Sequence, residues 1–173
     1  KKKKFMVARW YEAVNTETLI KYSKLLYEEF GEFIVKPSIE RGGRNVCIIG
    51  GKNNNKSDSD RALYFKNLDE FITNINNLDI AKNNIVMEKL KDPVFDIDLL
   101  GWKGKPLKVV ARRRVNSSNP NAGHMIVNDK KLISLGNEII SSFNLSWLYD
   151  CDVMYNNNNK PCIIEINPRQ SGS

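Results

Sequence analysis

Three segments of the chain carry apolar residues at the helical spacings of three and four, and each begins at a residue that commonly caps helices. The first begins at Asn15 and Thr16 and ends at Gly31, the second begins at Asn67, and the third at Asn128. The residues expected to face inward are Leu19, Tyr22, Leu26 and Phe30 in the first helix, Leu68, Phe71, Ile72 and Ile75 in the second, and Leu132, Leu135, Ile139 and Phe143 in the third. Glu70 occupies the capping-box position of the second helix.

Short apolar runs and period-two alternation between the helices predict strands that pair as hairpins. Glycine turns at residues 41–44 and 101–104 separate two of the pairs, and the polar stretches 50–60 and 116–123 are interpreted as loops. The expected strands are residues 33–36, 46–49, 85–88, 95–99, 107–115, 147–155 and 163–166. The pattern therefore predicts a mixed protein of helices and strands.

The composition is typical of a folded protein in a reducing compartment. Apolar residues make up 41% of the chain, and no apolar run approaches the roughly 18 residues of a membrane span. Cys47, Cys151 and Cys162 form no CxxC pair, which argues against a zinc site and a disulfide framework and favours a cytoplasmic location. His124 is the single histidine, and we interpret it as a loop residue and not as a catalyst.

The net charge of +7 leaves two kinds of partner open. Lys1 to Lys4 carry much of the excess, and without these four lysines the balance is 23 basic residues (27 minus 4) to 20 acidic ones. A nucleic-acid-binding surface is one interpretation of the charge. A phosphate-containing small ligand explains the same charge equally well.

The end of the chain carries the most informative polar pattern. In a strand, Glu165 and Asn167 share one face, and Asp150 and Asp152 share a face on the preceding strand. One of these two aspartates is expected opposite Glu165. Carboxylate and amide oxygens in such a group are ligands that Mg²⁺ prefers, although an ordinary solvated hairpin face is the alternative.

Cationic residues in three places are candidates for binding phosphate. Arg169 follows the Glu165–Asn167 pair directly, and a guanidinium can hold a phosphate or carboxylate through two hydrogen bonds. Lys36 lies on a strand six residues before Gly42 and Gly43, where a hairpin with no ligand is the alternative. Arg112 and Arg114 share a strand face, as a phosphate clamp or as a charged strand edge.

Taken in order, these segments resemble the ATP-grasp superfamily, and most of all its carbamoyl-phosphate-synthase-like members. The resembling stretches are residues 33–38 with Gly42 and Gly43, residues 86–90, residues 95–99 with 112–114, and residues 165–169. The resemblance implies an α+β fold of two lobes, each with an antiparallel sheet and packed helices, that grip ATP between them. Residues 1–85 would form the lid lobe and residues 86–173 the second lobe.

The resemblance also implies a function and a set of site residues. The protein would bind ATP and Mg²⁺, with Mn²⁺ as the alternative ion, and would phosphorylate a small carboxylate so that an amine or another nucleophile displaces the phosphate. The implied residues are Lys36, Gly42 and Gly43 for the phosphates, Glu88, Lys89 and Leu90 for adenine, Asp152, Glu165 and Asn167 for the metal, and Arg169 and Arg114 for the γ-phosphate and acyl phosphate.

The sequence departs from the family pattern at Val94, where members often carry a glutamate for the ribose hydroxyls. The family's N-terminal α/β domain is also missing, which predicts a fragment of a larger enzyme and leaves a homodimer through the missing regions as an alternative. A degenerate, non-catalytic ATP-grasp module and a basic nucleic-acid-binding domain are the competing interpretations.

Overall fold

The computed structural model describes residues 5–39, 45–51, 62–78, 83–117 and 122–170. The chain forms two compact units. The first is Arg9–Lys89, and the second joins the described residues of Lys1–Ala8 to those of Leu90–Ser173. The change from one unit to the other after Lys89 lies four residues beyond the predicted division between residues 85 and 86. No helix in the described part of the chain is long and apolar enough to cross a membrane.

In the part of the chain that the structure describes, the first unit is a five-stranded sheet with two helices. Its strand order is β1-β5-β2-β3-β4, antiparallel throughout except for the parallel pair β3–β4. Along the chain the elements are β1 (Trp10–Ala13), α1 (Thr16–Phe30), β2 (Glu32–Pro37), β3 (Val46–Gly50), β4 (Ala62–Phe65), α2 (Leu68–Asn74), a 3₁₀ turn (Ile75–Asn77) and β5 (Asn84–Glu88).

The limits of α1 follow from its terminal residues. The Asn15 side chain accepts the Thr18 N–H at 2.8 Å while the Thr18 hydroxyl accepts the Asn15 N–H at 3.2 Å, which completes a capping box. Gly31 has a φ of 72°, a left-handed conformation that glycine adopts without steric cost, and its N–H bonds the Tyr27 carbonyl. Both predicted ends of α1 are confirmed.

Helix α1 and α2 cover one face of this sheet with apolar side chains. Phe71 of α2 packs edge-to-face against Phe33 of β2 and Phe65 of β4. The fully buried members of this core include Ala13, Leu26, Phe33, Ile49, Phe71 and Val86. The core therefore holds the strands that carry Lys36 and Glu88.

The described residues of the second unit form an antiparallel sheet with one helix. Its strand order is β10-β9-β6-β7-β8. The elements are β6 (Lys91–Trp102), β7 (Lys105–Arg114), β8 (His124–Val127), α3 (Lys130–Ser142), β9 (Trp147–Tyr155) and β10 (Pro161–Asn167). Val7 forms a parallel bridge with Ile163 beside the edge strand β10.

Helix α3 covers one face of the second sheet closely. A Cβ added at Gly136 would lie 2.6 Å from a Val109 methyl carbon and 2.9 Å from a Leu99 methyl carbon, so a larger residue would force these core side chains to shift. Apolar residues at every second position of the strands pack on α3 and include Ile97, Leu99, Ala111, Cys151 and Val153. The intervening residues must therefore point to the opposite face.

Three features of the helices correct the sequence predictions. The residue that caps α3 is Asp129 and not Asn128, because the Asp129 carboxylate accepts the N–H groups of Lys131 and Leu132. Phe143 lies beyond the last turn of α3 and is 54% exposed, although its ring stacks on Phe5. The capping box predicted for α2 is wrong, since the Glu70 carboxylate accepts the N–H of Lys66, the residue before the cap.

Three short strands, β1, β4 and β8, are absent from the sequence prediction. Strand β4 pairs in parallel with β3, and β8 pairs with β7 so that His124 lies opposite Arg114. His124 is therefore a strand residue, which corrects its interpretation as a loop residue. The predicted polar loop at residues 50–60 lies almost wholly outside the described residues, as does the glycine turn at residues 41–44.

Candidate functional site

Charged and amide side chains occupy the face of the second sheet that lies opposite α3, which we call the charged face. Directly paired residues of neighbouring strands have Cβ atoms about 4.5–5.5 Å apart on the same face. The rows across β6, β9 and β10 are Asp96–Asp152–Glu165 and Asp98–Asp150–Asn167. The register thus brings five acidic residues and one asparagine together.

A β-bulge puts Glu165 on this face. Ile163 pairs with Val153, but the register then shifts by one residue so that Glu165 pairs with Asp152. With unbroken pairing, Ile164 would lie opposite Asp152, and Glu165 would lie opposite Cys151 and share its face. The extra residue in β10 therefore brings the carboxylates of Glu165 and Asp152 to one face.

Two arginines of β7 hold most of the aspartates. Arg114 Nε lies 2.9 Å from Asp96 Oδ2, and Arg114 Nη2 lies 2.7 Å from Asp96 Oδ1 and 2.8 Å from Asp152 Oδ2. Arg112 binds both oxygens of Asp98 at 2.7 and 2.9 Å. Such two-point contacts fix the guanidinium and the carboxylate in one plane. The structure confirms that Arg112 and Arg114 share a face.

His124 completes the environment of Asp96. Its Nε2 lies 3.0 Å from Asp96 Oδ2, and both side chains are buried. Burial raises the pKa of Asp96, but the hydrogen bonds and charge of Arg114 outweigh that effect and hold it below its ordinary value. Burial lowers the pKa of Arg114, yet Asp96 and Asp152 together raise it above its ordinary value. Asp96 is therefore an ionised, fully bonded carboxylate that anchors the network.

Asp150 and Asp152 are in a different electrostatic situation. Asp150 is 4% exposed, and its burial, together with the charges of Asp96 and Asp98, raises its pKa to about 6. Burial also raises the pKa of Asp152 to about 6, against the lowering effect of Arg114. One oxygen of each, Asp150 Oδ1 and Asp152 Oδ1, is buried without a hydrogen-bond partner in the described part of the protein.

The remaining predicted residues of this unit lie at the end of β10. The Asn167 amide donates to Glu165 Oε1 at 2.9 Å, which orients both side chains, and Glu165 is exposed. Arg169 is also exposed, and its Nη1 donates to the Gln170 carbonyl at 3.3 Å. No hydrogen bond or ion pair among the described residues joins Arg169 to the charged face.

In the first unit, Lys36 lies half-buried on β2, opposite Ile85 of β5. No ion pair is recorded for its ammonium group with any residue that the structure describes. The predicted phosphate cover, Gly42 and Gly43, lies outside the described residues.

The residues predicted to line an adenine pocket make structural contacts. The Glu88 carboxylate accepts the Arg9 N–H at 3.2 Å, and Lys89 Nζ lies 2.8 Å from Glu32 Oε2. Leu90 is buried and begins the second unit. These contacts position the chain where it leaves β5, and the role of the three residues toward a nucleotide stays a prediction.

Asp96, Asp98 and His124 were not predicted as site residues. A signal for the two aspartates was present, because they alternate with apolar residues on β6 while Arg112 and Arg114 alternate on the strand that follows a tight turn. Opposite charges at period two on a hairpin indicate cross-strand ion pairs. No comparable signal marked His124, whose contact with Asp96 spans 28 residues.

Comparison with known proteins identifies the family of the chain. A profile of the family described as "ATP-grasp in the biosynthetic pathway with Ter operon" matches residues 81–173, and the chain belongs to this family. None of the curated proteins compared with the chain matches it.

Solved structures share the fold at low sequence identity. D-alanine-D-alanine ligase from Coxiella burnetii superposes with a TM-score of 0.63 and 16% identity over 94% of this chain and 43% of that one. The ATP-grasp ligase PsnB, solved with a minimal precursor, Mg and ADP, has a TM-score of 0.59 and 13% identity over 97% of this chain and 46% of that one. The biotin carboxylase domain of Hydrogenobacter thermophilus 2-oxoglutarate carboxylase was solved in complex with MgADP, ADP and bicarbonate. It has a TM-score of 0.63 and 14% identity over 98% of this chain and 37% of that one.

These matches confirm the predicted α+β, ATP-grasp fold. The chain spans less than half the length of each of the three proteins. At these identities the likeness concerns the fold, so the chemistry of this chain has to be argued from its own residues.

Proposed function

We propose that this chain binds ATP with Mg²⁺ and forms the nucleotide-binding part of a ligase that activates a carboxylate as an acyl phosphate for attack by an amine. The observation that carries the proposal is the row of Asp152 and Glu165 on the charged face with Asn167 beside them. Two of the similar proteins are named ligases, and two of the three structures contain Mg and ADP.

The donor set fits a magnesium ion bound to phosphate. Asp152 and Glu165 offer carboxylate oxygens, Asn167 offers an amide oxygen, and Asp152 Oδ1 is buried with no hydrogen-bond partner among the described residues. Mg²⁺ is usually held by one or two carboxylates, waters and substrate phosphates. When bound, such an ion neutralises charge on the transferred phosphoryl group.

The arginines take two different roles in the proposal. Arg114 uses Nε and Nη2 for Asp96 and Asp152, so it fixes the position of Asp152, while its Nη1 takes no part in these contacts. Arg169 is exposed next to Asn167 and binds the γ-phosphate and the acyl phosphate. Phosphoryl transfer depends on positioning and charge neutralisation, and it needs no covalent nucleophile from the protein. Arg114 supplies positioning, and Arg169 supplies charge neutralisation.

The first unit contributes nucleotide contacts in this proposal. Lys36 binds a phosphate, which agrees with its position as a half-buried residue without an ion pair to any described residue. Gly42 and Gly43 cover the phosphates, and the backbone at Glu88–Leu90 borders adenine. Val94 is buried, and it replaces the ribose-binding acid of the family pattern with an apolar contact.

A thermal-melt titration with ATP, with and without Mg²⁺, tests the proposal. A ligand that binds only the folded protein at a hundred times its Kd adds about 2.7 kcal/mol of stability. We expect an Mg²⁺-dependent rise in Tm that Asn167→Ala and Lys36→Ala each abolish. Glu28→Gln changes an exposed acid of α1 and serves as the matched control. An equal rise in all variants would refute the assigned residues, and no rise in the unaltered chain would refute nucleotide binding by it.

A further inference from the structure

We infer that Asp150, Asp152 and Asp96 form a divalent-cation site that fills in the absence of nucleotide. The site lies on β6 and β9 and shares only Asp152 with the proposed nucleotide-metal site, which also needs Glu165 and Asn167 of β10. It goes beyond the proposed function, because it requires neither ATP nor phosphoryl transfer.

The balance of charge on the charged face leaves one buried carboxylate without a cation. Of the four aspartates that β6 and β9 place on this face, Asp98 is held by Arg112, and Asp96 and Asp152 share Arg114. Asp150 forms no ion pair with any described residue, although it is 4% exposed. A buried carboxylate without a partner costs several kcal/mol, so an additional positive charge at this point would be strongly stabilising.

The hydrogen bonds identify the oxygens that are free to bind a cation. Both oxygens of Asp96 and one oxygen of Asp152 are used by Arg114 or His124. Asp150 Oδ1 and Asp152 Oδ1 are buried and have no hydrogen-bond partner among the described residues. Buried polar atoms are almost always paired, so two unpaired oxygens two residues apart on one strand face point to a ligand.

The distances fit one ion. Carboxylate oxygens of Asp96, Asp150 and Asp152 all lie within 4.8 Å of one another. Divalent ions bind oxygens at about 2.0–2.6 Å, so two oxygens on one ion are at most about 5 Å apart. Asp150 and Asp152 would bind directly, and Asp96 would add negative charge while it keeps Arg114 and His124 in place.

The ligand chemistry selects the class of ion. The two direct ligands and Asp96 are all carboxylates, and Cys151, which lies between Asp150 and Asp152, faces the apolar core under α3. Hard oxygen donors without sulfur suit Mg²⁺, Mn²⁺ or Ca²⁺ and not the ions that prefer thiolates.

Calorimetric titration of the nucleotide-free chain with Mn²⁺ tests the inference. We expect one ion per chain, a weakening of at least about tenfold for Asp150→Asn, as expected when a ligand is lost, and little change for Glu165→Gln. Glu165→Gln is the matched control, because it removes a carboxylate charge from the same face but from outside this site. If Asp150→Asn does not fold, as circular dichroism would show, Asp152→Asn takes its place with the same expected loss.

Three results would overturn the inference. The first is no Mn²⁺ binding by the folded, unaltered chain, and the second is a Kd for Mn²⁺ that Asp150→Asn leaves unchanged. The third is a loss of Mn²⁺ affinity in Glu165→Gln equal to that in Asp150→Asn, which would place the ion at the nucleotide-metal site. A failure of the proposed function is distinguishable, since it removes Mg²⁺-dependent ATP binding and leaves nucleotide-free Mn²⁺ binding intact.

Discussion

The two sheets of this protein are alike in the residues of the face that their helices cover and differ in the residues of the opposite face. In each, alternate apolar residues are fully buried against helices, such as Phe33 and Ile49 in the first and Ile97 and Leu99 in the second. On its other face, β2 presents Ile34 and Lys36, both half-buried. At the corresponding positions β6 presents Asp96 and Asp98, which are held by arginines.

The difference shows which part of a sheet pattern reports on function. Apolar alternation identifies the helix-covered face in both units, and this face specifies the fold. Charge at the intervening positions marks the candidate site, and it is concentrated on the second sheet. Lys36 has no ion pair with any residue that the structure describes, whereas each carboxylate of the charged face depends on its neighbours.

Loss of Arg114 should produce the largest effect, because it leaves Asp96 and Asp152 without their shared cation. We expect Arg114→Ala to lower the free energy of unfolding by about 3–5 kcal/mol, the range for breaking a buried ion pair. Urea unfolding measures this value. Arg113→Ala on the same strand is the control, since Arg113 is exposed and should change stability by less than about 0.5 kcal/mol. Equal effects would mean that the network does not stabilise the second unit.

The helix caps should differ between the units in their dependence on pH. Asn15 caps α1 without a charge, whereas Asp129 caps α3 with a carboxylate that also accepts the Tyr155 hydroxyl at 2.7 Å. Burial raises the pKa of Asp129, but the hydrogen bonds from Tyr155 and from backbone N–H groups lower it overall. A lowered pKa in the folded state stabilises the protein above the unfolded-state value of about 3.9, and this stabilisation is lost as the pH falls through the folded value.

Asn15→Ala and Asp129→Ala should therefore each lower the free energy of unfolding by about 0.5–2 kcal/mol at pH 7. As the pH falls below about 4, the cost of Asp129→Ala should shrink, because the unaltered carboxyl becomes protonated too. The cost of Asn15→Ala should not change in this way, because the Asn15 side chain does not titrate. Chemical unfolding at several pH values compares the two, and parallel pH dependence would contradict the assignment of Asp129 as the charged cap.

Lys36 should have the smallest effect on stability. With no recorded ion pair among the described residues, Lys36→Ala should change the free energy of unfolding by less than about 0.5 kcal/mol. Lys89→Ala is the comparison, because its contact with Glu32 is partly exposed and is worth at most about 1 kcal/mol. A loss of several kcal/mol in Lys36→Ala would show that the residue serves the fold, against its proposed role in binding phosphate.

Local signals predicted much of the fold and only part of the site. The ends of α1 were found because Asn15 and Gly31 act within one turn of their own positions. Asn128 and Asp129 are adjacent and both cap helices well, so the sequence did not distinguish them. The edge strand β8 has exposed Met125 and Ile126 and lacks the alternation that marks a half-buried strand.

The site depends on contacts that no local pattern contains. Spacing alone left Asp150 and Asp152 as equal candidates to lie opposite Glu165, and the bulge at Ile164 decides between them. The burial of Asp96 beneath Arg114 and His124 follows from the pairing of β6 with β7 and of β7 with β8. Such pairings are properties of the sheet and become visible only with its register.

The unit that carries the charged face is discontinuous in sequence. Before Arg9 begins the other unit, the Met6 carbonyl accepts the Ile163 N–H at 3.0 Å, and Phe5 stacks on Phe143. The family profile, which matches residues 81–173, therefore covers only one of the two segments that build this unit. A polypeptide that began at Leu90 would keep every carboxylate of the site but would lose the residues that lie beside its edge strand.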